Sequence, residues 1–178
     1  ETSSPKKGKR RNREVGFSVA PVALQQAVQP AASSFDKKRR FLAYNNIGYI
    51  ISRDQGSEQV LVIEFADQTK FRRSVTVDHH RCILGSLGER GAATANPHFL
   101  VFHAHTAIGT AAAASSSSSS SSSEDAATPA CDWVRQLPEG ETAIGLAVSD
   151  VSICVATSRR FLRLFSLTGT QQAVLTVP

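Results

Sequence analysis

Between residues 41 and 104 the sequence runs through seven short apolar stretches and contains no stretch of helical period. That pattern excludes bundles and doubly wound folds before anything else is considered. The stretches are 41–45, 47–53, 59–65, 69–77, 81–87, 91–95 and 99–104, rich in Val, Ile, Phe and small residues and separated by Asn, Asp, Gly and Ser. After a low-complexity interruption the pattern resumes at 133–137, 143–148, 151–157, 161–167 and 171–177. Runs of this length, bounded by turn-forming residues, predict antiparallel strands in a sandwich, a barrel or a propeller. On 161–167, Phe161, Arg163 and Phe165 fall on one face and Leu162 and Leu164 on the other. Both faces are expected to be buried, with only the charged tip of Arg163 reaching solvent.

An internal repeat selects among these architectures. Leu84, Ala92-Ala93-Thr94 and Phe99-Leu100-Val101-Phe102 resemble Leu146, Val155-Ala156-Thr157 and Phe161 to Phe165 in order and spacing. Thr94 and Thr157 are 63 residues apart, or 40 once the 23-residue segment 107–129 is removed, and Leu42 and Leu84 are 42 apart. Both spacings are those of a four-stranded propeller blade. The expectation is an all-β chain, a partial β-propeller of about three blades at 41–77, 81–137 and 143–177. Three blades do not close a ring. The chain also starts without methionine, so it reads as a piece of a longer protein.

Charge divides the chain differently. Residues 1–40 carry ten Lys/Arg against three acids, whereas the remainder carries ten against twelve. The high pI of about 9.5 therefore belongs to the amino-terminal part. A uniformly basic nucleic-acid-binding domain is excluded for 41–178. Residues 1–40 read as a disordered basic linker. Within it Lys6, Lys7, Lys9, Arg10, Arg11 and Arg13 crowd into eight positions, a run that repels itself and stays extended. Nuclear import is the favoured reading. A phosphate-contacting arm acting by counterion release and a plain solvated linker are the alternatives. Lys37, Lys38, Arg39 and Arg40 stand directly before a strand and read as an edge-protecting charge block. Residues 15–34 are read as coil.

The segment at about 107–129 is alanine-rich and then holds nine consecutive serines, Ser115 to Ser123. It lacks the apolar side chains needed to offset ordering, so it is expected to be a disordered insertion between the third and fourth strands of the second blade. Ser121 and Ser122 each have an acid three residues later, the spacing of an acid-directed kinase site. A neutral repeat expansion accounts for the same residues.

Catalytic chemistry is sparse. Cys82, Cys131 and Cys154 are odd in number and widely spaced, as expected of free thiols. His79, His80, Cys82, His103 and His105 lack any metal-ligand spacing, although His103 and His105 share a strand face. Asp78 beside His79 has no placed nucleophile, and no phosphate-binding glycine loop is present. Trp133 reads as a packing residue. The expectation is a protein without catalytic, cofactor or metal residues, and no apolar run is long enough to cross a bilayer as a helix.

The stretch from Arg40 to Ile50, RFLAYNNIGYI, resembles the strand that opens the second propeller, the SepB domain, of a eukaryotic replisome adaptor family. That family comprises the WD repeat and HMG-box DNA-binding protein, or acidic nucleoplasmic DNA-binding protein, and its yeast chromosome-transmission-fidelity relative. Val62 to Asp67 resembles its next segment. Trp133, Leu137-Pro138, Ala156-Thr157-Ser158, Leu162 to Ser166, Gly169, Gln171 and Val174 match its later pattern. The resemblance covers about residues 40–178, with a gap at the serine insertion. It implies a nuclear, non-enzymatic scaffold that couples the replicative helicase to DNA polymerase α on chromatin. It also implies a homotrimer formed by the complete propeller, with GINS and polymerase α peptides bound by regions outside this chain and DNA as a further partner. A generic nuclear WD40-like scaffold in RNA or ribosome assembly is the alternative.

Overall fold

The structure is a computed structural model that describes residues 28–34, 38–105, 107–108 and 131–178. The cations Lys6, Lys7, Lys9, Arg10, Arg11 and Arg13, the serines Ser121 and Ser122, and most of the Ala/Ser insertion lie outside the described residues. Within them the chain is all-β, with twelve strands and no helix. The first sheet contains β1 (Arg39–Tyr44), β2 (Gly48–Asp54), β3 (Gln59–Phe65) and β4 (Ser74–Val77). The second contains β5 (Leu84–Leu87), β6 (Gly91–Ala95), β7 (Phe99–Ala104) and β8 (Trp133–Gln136). The third contains β9 (Ala143–Val148), β10 (Ser152–Thr157), β11 (Phe161–Ser166) and β12 (Gln171–Thr176). Each sheet is an antiparallel meander whose strands lie in chain order. These are the three blades expected from the repeat.

Side chains at the turns explain why the runs break where they do. Asn45 Oδ1 accepts from the backbone N–H of Ile47 and Gly48 at 3.0 and 3.2 Å, closing β1 onto β2. Asn96 Oδ1 accepts from His98 and Phe99 at 2.8 and 2.6 Å, closing β6 onto β7. Ser149 Oγ accepts from Ser152 at 3.0 Å between β9 and β10. Short polar side chains that bond the backbone two or three residues on turn the chain without a regular ladder.

Two predicted runs are shorter than expected for the same reason. The run 81–87 begins as a strand only at Leu84. Ahead of it, Asp78 accepts from His80 N–H at 3.0 Å and Cys82 N–H at 2.6 Å, while Arg81 takes a positive φ of 52°. The run 69–77 is a strand only from Ser74; Asp67 Oδ1 accepts from Thr69 N–H at 2.9 Å, and Phe71 makes an isolated bridge to Ala107.

The sheets are set face to face with their first strands converging, since β5 packs against both β1 and β9. Leu42, Ala43, Ile50, Leu61, Ile63 and Phe65 bury one face of the first sheet with Leu87 and Ala92 of the second. On the other side of the second sheet, Leu84, Ala93, Leu100 and Phe102 pack with Leu146, Ile153, Val155 and Phe165 of the third. β6 is thus enclosed on both faces, and all five of its residues are buried. Its sequence, Gly-Ala-Ala-Thr-Ala, is what a strand between two close sheets requires. A Cβ at Gly91 would collide with the Phe102 ring.

β11 departs from expectation in two ways. The tip of Arg163 is not solvated: its side chain is 11% exposed and paired with Glu141, whose side chain is 5% exposed. A charge buried this deeply requires a charged partner, and the turn residue Glu141 supplies it. Leu162 and Leu164 are only half-buried, because their face of the third sheet has no neighbouring sheet within the described residues. Residues 28–34 are coil, but they are held against β9 and β1 through Gln29 and Ser33.

Candidate interaction surface

The first and second sheets splay apart toward their outer strands and leave two clefts. One, of about 300 Å³, is bounded by Arg72, Arg73, Ser74 and Thr76 on one side and by His103, His105 and Asp132 on the other. The second, of about 410 Å³, is mostly apolar, lined by Val77, Val101, Phe102, Trp133 and Val134 together with His79 and His80. The strand pattern that put His103 and His105 on one face thus brings both to the first cleft. His79 and His80 sit in the turn after β4, as read, and line the second cleft.

His105 lies edge-on to Phe65, with centroids 4.6 Å apart, and beside Phe71. Its Nε2 is 3.1 Å from the Gly88 carbonyl, so Nε2 carries the proton and donates. Burial pushes its pKa down to about 4, which keeps the ring neutral. His103 Nδ1 lies 3.8 Å from Asp132 Oδ2, yet burial outweighs that carboxylate and holds its pKa below the ordinary value. Cys82 is 1% exposed, and burial pushes its thiol up to about 12, far from a reactive thiolate. Asp78 accepts from His80, Cys82 and Gln59. Among the described residues no three of His, Cys, Asp and Glu converge on a metal site, and no helix is long and apolar enough to cross a membrane.

What the seams carry instead is polar stapling between sheets. Trp133 Nε1 donates to the Leu167 carbonyl at 2.9 Å, and Arg135 Nε donates to the Gly169 carbonyl at 3.0 Å, tying β8 to the β11–β12 turn. Val148 N–H donates to Ser86 Oγ at 3.0 Å between β9 and β5. Asn45 Nδ2 donates to the Leu87 carbonyl at 2.7 Å. In the block Lys37, Lys38, Arg39 and Arg40, Lys37 lies outside the described residues. Arg40 Nη2 reaches the Ile83 carbonyl at 3.2 Å, which makes it an inter-sheet contact as well as a charge at the edge strand. Ile108 N–H donates to the Lys70 carbonyl at 2.9 Å, so the root of the insertion is fixed to the first sheet rather than only to the second. Sequence reasoning missed these staples because each joins groups far apart in sequence, most of them a side chain and a backbone group, which periodicity does not report.

The model of the family described as minichromosome loss protein, Mcl1, middle region, matches residues 26–178. The minichromosome loss protein 1 of Schizosaccharomyces pombe is 26% identical over 155 residues, which is 83% of this chain and 17% of that relative. The chain therefore spans about a sixth of the relative's length. These findings correct the family named from the strand motifs, the WD repeat and HMG-box DNA-binding protein. Motifs such as Ala-Thr-Ser and Leu-Arg-Leu-Phe report blade strands, whose small and apolar residues are dictated by inter-sheet packing, and they do not separate one propeller family from another. The match runs through all three sheets and the segment before them: the chain belongs to the family of the minichromosome loss protein Mcl1, middle region.

Proposed function

We propose that this chain is a non-enzymatic propeller module of a nuclear DNA-replication and chromosome-maintenance factor, and that the whole protein scaffolds the replicative helicase and DNA polymerase α on chromatin. The observation that carries the reading is the family match across all three sheets. The relative is named for minichromosome loss, which directs the reading to chromosome transmission. The site chemistry is in keeping with it, since burial keeps the His105 ring neutral and the Cys82 thiol protonated, and Asp78 accepts backbone hydrogen bonds. In this proposal the completed propeller self-associates as a trimer, and the polymerase and GINS contacts lie elsewhere in the protein. The basic run Lys6 to Arg13 serves import.

The test uses full-length protein with purified GINS and DNA polymerase α in sedimentation experiments. The expected result is a ternary complex with a trimeric scaffold, and loss of the trimer when residues 39–176 are deleted. A protein that binds neither partner, or that stays trimeric without the three sheets, would sink the proposal. Alanine replacement of the six cations in a fluorescent full-length fusion is expected to leave the protein cytoplasmic.

A further inference from the structure

The inner strands β1, β5 and β9 are the first strands of their sheets, so among the described residues each has an edge without a ladder partner. Unpaired backbone groups on such edges need other partners. Five residues ahead of β1 supply them. Gln29 Nε2 donates to the Gly85 carbonyl of β5 at 2.8 Å and to the Leu146 carbonyl of β9 at 2.7 Å. Ser33 N–H donates to the Phe41 carbonyl of β1 at 2.9 Å, and Phe41 N–H donates back to Ser33 Oγ at 2.9 Å. One short segment therefore touches all three inner strands.

The segment has a defined shape. Ala32 N–H donates to the Gln29 carbonyl at 3.0 Å, with Pro30 second in the turn and Ala31 at a φ of 61° in the third position. A proline followed by a positive φ is the type II pattern, which ordinarily takes glycine at the third position. An alanine there holds an unfavourable conformation that surrounding contacts must enforce. Ala31, Ala32 and Ser33 form an apolar niche with Phe41 and Tyr44.

The chemistry at the inner edge is selective. Two carbonyls converge on one nitrogen, so the ligand atom must offer two N–H bonds at once. A carboxamide does so without burying a charge, whereas a hydroxyl has one donor and a carboxylate has none. We propose that the converging edges of β1, β5 and β9 form a binding site for a turned peptide that places a carboxamide four residues before a residue that hydrogen-bonds the β1 backbone. Its resident ligand is the chain's own Gln29–Ser33 segment, a strap that joins the three sheets and that any peptide supplied in trans must displace. The family match begins at residue 26 and so takes in the strap together with the sheets.

Amide hydrogen exchange on the full-length protein tests this. The Ser33 and Phe41 amides are expected to be protected in the unmodified protein. Gln29→Glu keeps the side-chain shape but turns an acceptor toward two carbonyls. It should speed exchange at both amides by about ten-fold or more, while the Thr94 amide in β6 stays protected. If Gln29→Glu also opens β6, Gln29→Asn carries the same expectation, since it shortens the reach by one methylene. A labelled peptide of residues 26–36 should bind a full-length variant in which 28–34 are replaced by Gly and Ser, and should not bind the unmodified protein. Unprotected Ser33 and Phe41 amides in the unmodified protein would overturn the proposal. So would a Gln29 variant with unchanged exchange at both amides, or a peptide that binds both proteins equally.

Discussion

Arg163 and Glu141 form a two-point ion pair inside the third sheet: Nη2 lies 2.6 Å from Oε1 and Nε lies 2.8 Å from Oε2. Arg163 Nη1 also donates to Gln171 Oε1 at 2.9 Å, and its guanidinium carbon stands 5.9 Å from the Phe161 ring centroid. A planar fork facing a carboxylate in this way is the geometry that makes a buried charge tolerable. Glu141 belongs to the turn that leads from β8 to β9, so the pair links the entry of the third sheet to its two outer strands.

Removing one partner is the costly change, because the other is left charged and buried. Arg163→Ala is expected to destabilise by about 3–5 kcal/mol, and Glu141→Ala similarly. Replacing both by apolar residues, Arg163→Met with Glu141→Leu, should cost clearly less than the two single losses added together. Urea unfolding of the four proteins measures it; additive losses would mean that the two side chains do not act as a pair. Arg163 holds the Glu141 carboxyl below its ordinary value of 4.5. A depressed carboxyl contributes stability that is complete above that value and is lost as pH falls through the folded-state value.

His105 gives a second pH dependence in a different window. Its folded pKa is about 4 against an ordinary 6.5, because a charged ring cannot be solvated between Phe65 and Phe71. The unfolded chain binds the proton first, so the contribution of His105 is complete above pH 6.5 and declines until pH reaches about 4. His105→Gln keeps a donor toward Gly88 but does not titrate. Its stability is therefore expected to fall less steeply across that range than that of the unmodified protein. Parallel slopes in a pH series of urea midpoints would contradict the neutral, buried ring.

Phe161 and Phe165 lie on the same face of β11, yet only Phe165, 5% exposed, is in the core between the second and third sheets. Its ring lies 6.3 Å from that of Trp133, centroid to centroid. Phe165→Ala is expected to cost about 3–5 kcal/mol, whereas Phe161→Ala, at the half-exposed end of the strand, should cost about 1 kcal/mol. Equal losses in thermal unfolding would mean that the two rings are equally buried.

The strands and blades were legible because sheet packing writes itself into local sequence. β3, β6 and β7 occupy the runs their apolar residues mark, and the 40- and 42-residue spacings divide the chain where the sheets divide. Arg163 was not legible. Its alternation with two phenylalanines shows which face it occupies but not what it meets, and Glu141 lies 22 residues away in a turn. Gln29 was hidden for a related reason. Its partners are carbonyls 56 and 117 residues distant, and a carbonyl carries no residue identity for a pattern to match. Family identity failed at the same level, because blade strands obey packing rules shared across propellers.

Gly169 and Trp133 make a close contact between the third and second sheets. Gly169 has a φ of 85°, and a Cβ built there would stand 3.0 Å from Trp133 Cδ2 and 3.2 Å from its Cε2. Two effects therefore oppose a side chain. A left-handed conformation costs a non-glycine residue about 1–2 kcal/mol, and overpacking against a ring that is itself fixed by its Nε1–Leu167 bond adds about 1–3 kcal/mol. Gly169→Ala should lower stability by the sum of these, and the two parts can be separated. Trp133→Leu removes the ring and so the clash, but leaves the backbone strain. In the Trp133→Leu background, Gly169→Ala is then expected to cost only the conformational part, about 1–2 kcal/mol. A double-mutant cycle by urea unfolding reads the difference. If Gly169→Ala costs the same in both backgrounds, the indole does not press on Gly169, and backbone conformation alone accounts for the glycine.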